Sequence, residues 1–99
     1  MEFDKAKIIR VDRVSPVDMK YSVRTIGGLK PEQMYRFDTK KEAMECAKAL
    51  KAYIKEQYEK VSKSEQEKFW NMVNEFKYEN VSQYEYLKEK KGDIFLEYI

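Results

Sequence analysis

The sequence predicts an α+β protein: a three-stranded antiparallel sheet packed on one long helix, followed by two further helices. Three observations support this fold class. Polar and apolar residues alternate up to Asp38, Thr39 and Glu42 have the spacing of a capping box, and apolar residues recur at helical spacing from residue 40 onwards. Residues 94–99 are apolar and β-prone, and they either return as an edge strand or pack as a tail.

Three short segments are predicted to be strands. Residues 7–14 are rich in β-branched side chains and end before Pro16, which cannot donate to a sheet. Residues 19–26 alternate cleanly and stop at a Gly-Gly pair, which reads as a turn, and residues 33–38 alternate again. Because each connection is short, residues 7–38 are predicted to form an antiparallel meander.

Residues 40–60 are predicted to form one long helix. The small side chains of Ala43 and Ala47 share its apolar stripe and would let it lie close to the sheet. Cys46 lies on the same helix and is interpreted as a small core residue, since no histidine is present to activate its thiol. As the only cysteine, it also excludes an internal disulfide and a four-thiolate zinc site.

Residues 63–91 are predicted to be a helical part containing two helices. Ser-x-x-Glu patterns mark their starts, and two overlapping patterns compete to begin the first of them. These patterns are Ser62 with Glu65, Ser64 with Glu67, and Ser82 with Glu85. Gly92 is placed to end the last helix. No repeat or linker interrupts the chain, so we expect residues 1–99 to form a single domain.

Composition narrows the classes of function. Charged residues make up 38% of the chain and apolar residues 42%, and no apolar run approaches the roughly 18 residues of a membrane span. We therefore expect a soluble, cytoplasmic protein without a membrane partner. Histidine, the usual proton carrier and metal ligand, is absent. We expect no enzyme, no cofactor, no metal site and no small-molecule substrate.

One face of the predicted sheet is basic. Residues 1–60 hold fourteen Lys and Arg against ten Asp and Glu, whereas the remaining residues are net acidic. The pleat places Arg10 of the first strand on the same kind of face as Lys20, Ser22 and Arg24 of the second and Arg36 of the third. This face is either an ordinary solvated surface or a contact surface for nucleic acid.

The same segment resembles a known DNA-binding fold. Three short strands followed by residues 37–43, Phe-Asp-Thr-Lys-Lys-Glu-Ala, are similar to the arm-type (AP2-like) DNA-binding domains of phage integrases, over residues 7–58. Those domains bind DNA through the exposed face of the sheet. The resemblance implies that DNA would be contacted by Arg10, Lys20, Arg24 and Arg36.

Trp70 is a second candidate contact residue. In the second helix it lies off the apolar stripe that contains Phe69 and Val73, so it is predicted to be only half buried. Two interpretations stay open. Trp70 either joins nearby tyrosines in an aromatic patch that binds a protein, or it covers the far end of the core. The tyrosines concerned are Tyr78, Tyr84 and Tyr86.

The sequence favours a small, non-catalytic protein that binds a macromolecule. We predict a regulator or inhibitor of the phage or mobile-element type that acts by occluding a protein partner. The alternative is a DNA-binding module that uses the basic face of the sheet. Homo-oligomerisation is compatible with either prediction. The candidate contact residues are Arg10, Lys20, Ser22, Arg24, Arg36 and Trp70.

Overall fold

The computed structural model describes residues 2–13, 20–76 and 95–99. Its strands are β1 (Ile9–Arg13), β2 (Tyr21–Thr25), β3 (Tyr35–Phe37) and β4 (Phe95–Tyr98), and its helices are α1 (Lys40–Lys60) and α2 (Lys63–Phe76). The strands form one antiparallel sheet in the order β3-β2-β1-β4. The α+β class is confirmed. Of the two alternatives for residues 94–99 the edge strand is the one observed, because β4 pairs with β1, so the sheet has four strands and not three.

The strands are shorter than the alternating segments predicted them to be. Residues 7–14, 19–26 and 33–38 were expected, but the ladders cover only their central parts. Alternation marks burial, which continues past the ladder: Ile8 and Ile26 are fully buried although they flank the strands. Ile26 still donates its backbone N–H to the Ile8 carbonyl at 2.9 Å, so hydrogen bonding between the two segments continues one residue beyond the ladder.

Helix α1 has the predicted bounds and lies on one face of the sheet. Its N-cap is Thr39, whose hydroxyl oxygen accepts the backbone N–H of Glu42 at 3.2 Å and whose hydroxyl donates to the Glu42 carboxylate at 2.8 Å. Ala43 and Ala47 are completely buried against the sheet residues Val11 and Val23 in one core. Small side chains at these two positions let the helix axis approach the strands closely.

Helix α2 packs beside the turn between β2 and β3. Ser62 caps it, accepting the backbone N–H of Glu65 at 3.4 Å, so the first of the two competing capping patterns is the one used. Gly28 has a positive φ of 86°, and a Cβ there would lie 2.9 Å from the Met72 sulfur. The positive φ of the turn favours glycine, and any Cβ at this position would require the Met72 side chain to shift. The predicted third helix lies outside the described residues.

Neither α1 nor α2 has an apolar stretch that could cross a membrane, and the described part of the chain contains no other helix of that length.

Candidate binding groove on the polar face of the sheet

The strand register brings most of the predicted contact residues to one face. Arg10 lies directly opposite Arg24 across β1 and β2, and Ser22 lies opposite Arg36 across β2 and β3. These residues alternate with Val11 and Val23, which pack in the core beneath α1, so they lie on the side away from α1. We call this side the polar face, made by Arg10, Asp12, Ser22, Arg24 and Arg36.

Lys20 lies just before β2, at the edge of this surface. Its side chain is exposed, and its Nζ lies 3.9 Å from a carboxylate oxygen of Asp38. Such an exposed pair contributes little to stability. Lys20 therefore precedes the ladder, and a partner that the structure gives for its ammonium group is Asp38.

A buried carboxylate lies between two of the arginines. The Asp12 carboxylate is 2.8 Å from Arg10 Nε and 3.8 Å from Arg24 Nη2. The side chains of Arg10 and Asp12 are only 11% and 6% exposed, whereas that of Arg24 is 44% exposed. The polar face is thus not uniformly open, because β1 contributes a covered ion pair and not a free arginine.

A groove lies next to this ion cluster. It has a volume of about 470 Å³, and its walls come from β1, β2, the turn after β2, the segment before β3 and the last residue of α2. Phe76 sits against the turn, with ring atoms 3.5 Å from the position that a Cβ of Gly27 would occupy. We call it the sheet groove, and the residues that matter below are Arg10, Arg24, Gly27, Glu32, Met34 and Phe76.

Tyr98 borders the same cluster from β4. It lies opposite Arg10 in the ladder, and its ring is 6.3 Å from that of Phe76. Its hydroxyl is buried without a hydrogen-bond partner among the described residues. Burial raises the pKa of the Tyr98 hydroxyl, while the charges of Arg10 and Arg24 oppose part of that rise.

Trp70 makes its contacts away from the groove. It packs in an aromatic cluster with Phe3, Tyr58 and Phe69, with ring centroids 5.1 to 6.5 Å from its own. Its indole N–H donates to the Tyr58 hydroxyl at 2.8 Å. These contacts tie the start of the chain and the end of α1 to α2, so they support the core-covering interpretation. The tyrosines of the alternative patch lie outside the described residues.

The thiol of Cys46 is partly buried on α1. Burial raises the pKa of the Cys46 thiol, which keeps it protonated and weakly nucleophilic near neutral pH. Within residues 2–13, 20–76 and 95–99, no cluster of three His, Cys, Asp or Glu side chains could hold a metal ion.

Sequence reasoning missed two residues of the groove. They are Phe76, the last residue of α2, and Met34, in the segment before β3. Met34 is 49% exposed and lines the groove together with Arg24. The Gly-Gly pair was a usable signal, because glycines at a turn often allow another element to approach closely.

Comparison with known proteins identifies neither a family nor a function for this chain. A scan against protein-family models and searches of curated proteins and of solved structures found no match to this chain. The fold and the groove define a small α+β protein with a polar, grooved sheet face. The resemblance of residues 7–58 to integrase arm-type domains stays a prediction.

Proposed function

We propose that this is a non-catalytic macromolecule-binding protein, a regulator or inhibitor of the phage or mobile-element type that acts by occluding a protein partner. The observation that supports this most directly is the pairing of exposed Met34 with half-exposed Arg24 at the sheet groove. Methionine and arginine are both enriched at protein interfaces, where an apolar contact and a directional charge meet.

A protein partner fits the charges of this surface better than DNA does. A surface that follows a DNA backbone needs a cation near each phosphate that it neutralises. On the polar face, Asp12 offsets the charge of Arg10, and at the groove the Glu32 carboxylate lies 3.0 Å from Lys30 Nζ. The mixture of signs next to an apolar side chain is typical of the rim of a protein interface.

DNA binding by the polar face is the second candidate. It is favoured by the register, which places Arg24 and Arg36 on the same side of adjacent strands. A twisted antiparallel sheet can enter a major groove and present arginines to guanine. With Lys20 at the edge, this part of the surface could contact bases and phosphates.

Crosslinking from two matched positions tests the protein-binding proposal. Met34 is 49% exposed beside the groove and Tyr53 is 52% exposed on α1, so a photoreactive amino acid fits at either position. In native host lysate treated with nuclease, we expect a discrete crosslinked protein from position 34 and none from position 53. Met34→Glu should abolish capture by an affinity-tagged chain, whereas Tyr53→Glu should retain it.

Two results would contradict this proposal. Equal crosslinking from both positions would mean that the groove is not the contact surface. Capture that disappears on nuclease treatment would favour DNA instead. In that case fluorescence anisotropy with a labelled duplex should show affinity that falls steeply with salt and that weakens in Arg36→Gln.

A further inference from the structure

Two arginines face each other on neighbouring strands and share one carboxylate. Like charges directly opposite in an antiparallel ladder repel each other, and Asp12 compensates for only one of the two charges between Arg10 and Arg24. The cluster therefore carries an excess of one positive charge. Arg10 and Asp12 form the close, covered pair, so the excess charge is that of Arg24, whose side chain is 44% exposed and accessible to a ligand.

The excess charge faces a cavity of suitable size. Both arginines line the sheet groove, whose volume of about 470 Å³ lies within the usual range for small binding sites. The more exposed Arg24 has the planar fork that binds a carboxylate through two parallel hydrogen bonds. Phe76, whose ring packs on the turn at Gly27, contributes an aromatic surface to the same groove.

We propose that the sheet groove receives an acidic side chain, Asp or Glu, of the protein partner, held by Arg24 while a neighbouring apolar side chain packs on Phe76. This proposal rests on the proposed function, since it states the chemistry of the partner at the same surface. One excess positive charge matches one carboxylate. A nucleic-acid strand would instead bring successive phosphates, whereas the cluster offers a single uncompensated positive charge.

A peptide titration of the full chain tests this proposal. The probes are acetyl-Phe-Glu-amide and its uncharged match, acetyl-Phe-Gln-amide, and the observable is the arginine Nε–Hε signals in NMR spectra at constant ionic strength. We expect a saturable shift of the Arg24 signal with the Glu peptide. Binding of the Gln peptide should be at least about tenfold weaker, because it loses a charge-assisted hydrogen bond.

Arg36→Gln is the matched control for Arg24→Gln. Both arginines lie on the polar face, but Arg24 lines the groove and Arg36 does not contribute to its walls. Arg24→Gln leaves Asp12 paired with Arg10, so we expect it to fold. It should lose the response to the Glu peptide, and Arg36→Gln should keep it.

Several outcomes would overturn the inference. These are equal shifts with both peptides, no shift at tens of millimolar peptide, or an unchanged response in Arg24→Gln. Displacement of the Glu peptide by a lower concentration of inorganic phosphate would assign the groove to a phosphate instead. If crosslinking from position 34 succeeds while the peptides do not bind, the proposal that the groove receives an acidic side chain is wrong and the proposed function stands. If the peptides bind but no protein is captured, the proposed function falls.

Discussion

At the scale of single residues, Asp12 decides the character of the polar face. Among the described residues it is the charged side chain that the fold buries, at 4% exposure. Removing one partner from a buried ion pair leaves an uncompensated charge, which is strongly destabilising. Asp12 therefore stabilises Arg10 in a covered position and lowers the net charge of the face. Arg24 is the arginine of this cluster whose side chain is accessible to a partner.

Tyr98 gives a testable consequence at this scale. Its hydroxyl has no hydrogen-bond partner among the described residues, so Tyr98→Phe removes a buried polar atom without breaking a bond. We expect the free energy of unfolding at pH 7 to stay unchanged or to rise by up to about 1 kcal/mol, measured by urea denaturation. A larger loss of stability would show that the hydroxyl is bonded.

The pH dependence of the same variant follows from linkage. Burial places the folded-state pKa of Tyr98 above its ordinary value of 10.0, so the folded state holds the proton more tightly than the unfolded state does. The stability from this group is present below pH 10 and is lost as pH rises through the folded-state pKa. Between pH 9 and pH 11, the original protein should therefore lose more stability than Tyr98→Phe. Parallel losses would contradict this.

At the scale of elements, the contact between α1 and the sheet depends on small side chains. Ala43 and Ala47 are both fully buried, one helical turn apart on the face that meets the strands. A larger side chain would push the helix away from the sheet or force strained rotamers. Helix α1 therefore covers one side of the sheet, and the polar face lies on the opposite side.

Enlarging one of these alanines should destabilise the protein. For Ala47→Leu we expect the free energy of unfolding to fall by about 1 to 3 kcal/mol, measured by urea denaturation followed by circular dichroism. Ala49→Leu is the matched control, because Ala49 is exposed on the same helix and should change stability by less than about 0.5 kcal/mol. If both variants have equal stability, the close packing of α1 on the sheet does not contribute significantly to the free energy of unfolding.

At the scale of the whole molecule, the last described residues complete the sheet. Strand β4 pairs with β1 along its whole length, and the Ile99 carbonyl accepts the N–H groups of both Ile8 and Ile9, at 2.8 and 2.9 Å. Ile99 also donates its N–H to the Ile9 carbonyl. As a result, β1 is an interior strand, and the ion cluster on it is flanked by Tyr98.

Deleting residues 95–99 should therefore affect the entire fold. We expect the free energy of unfolding to fall by about 3 kcal/mol or more, because half-buried side chains and a ladder are lost together, with thermal melting as the measurement. The exposed edge of β1 should also promote association, visible by size-exclusion chromatography. The full-length variant Glu97→Gln is the control, since Glu97 is exposed in β4. A truncated chain that melts like the control would contradict this role.

The sequence by itself determined the local structure of this protein. The bounds of α1 follow from the Thr39 cap and from apolar residues at helical spacing, and the shared face of Arg10, Arg24 and Arg36 follows from a two-residue period. Both signals arise between residues a few positions apart, where backbone geometry alone fixes which side chains share a side. This is why they could be predicted without a partner element.

Only the tertiary structure decided how those local pieces combine. Strand β4 pairs with β1, and Phe76 lies at the groove, through contacts between residues that are distant in the chain. The burial of Arg10 with Asp12 depends on the packing of those distant elements. Side-chain period cannot specify which strand an edge will pair with, nor which charges lose contact with water. The alternating pattern therefore predicted a basic face. Packing placed Arg10 in a covered ion pair with Asp12 and left Arg24 half exposed beside that pair.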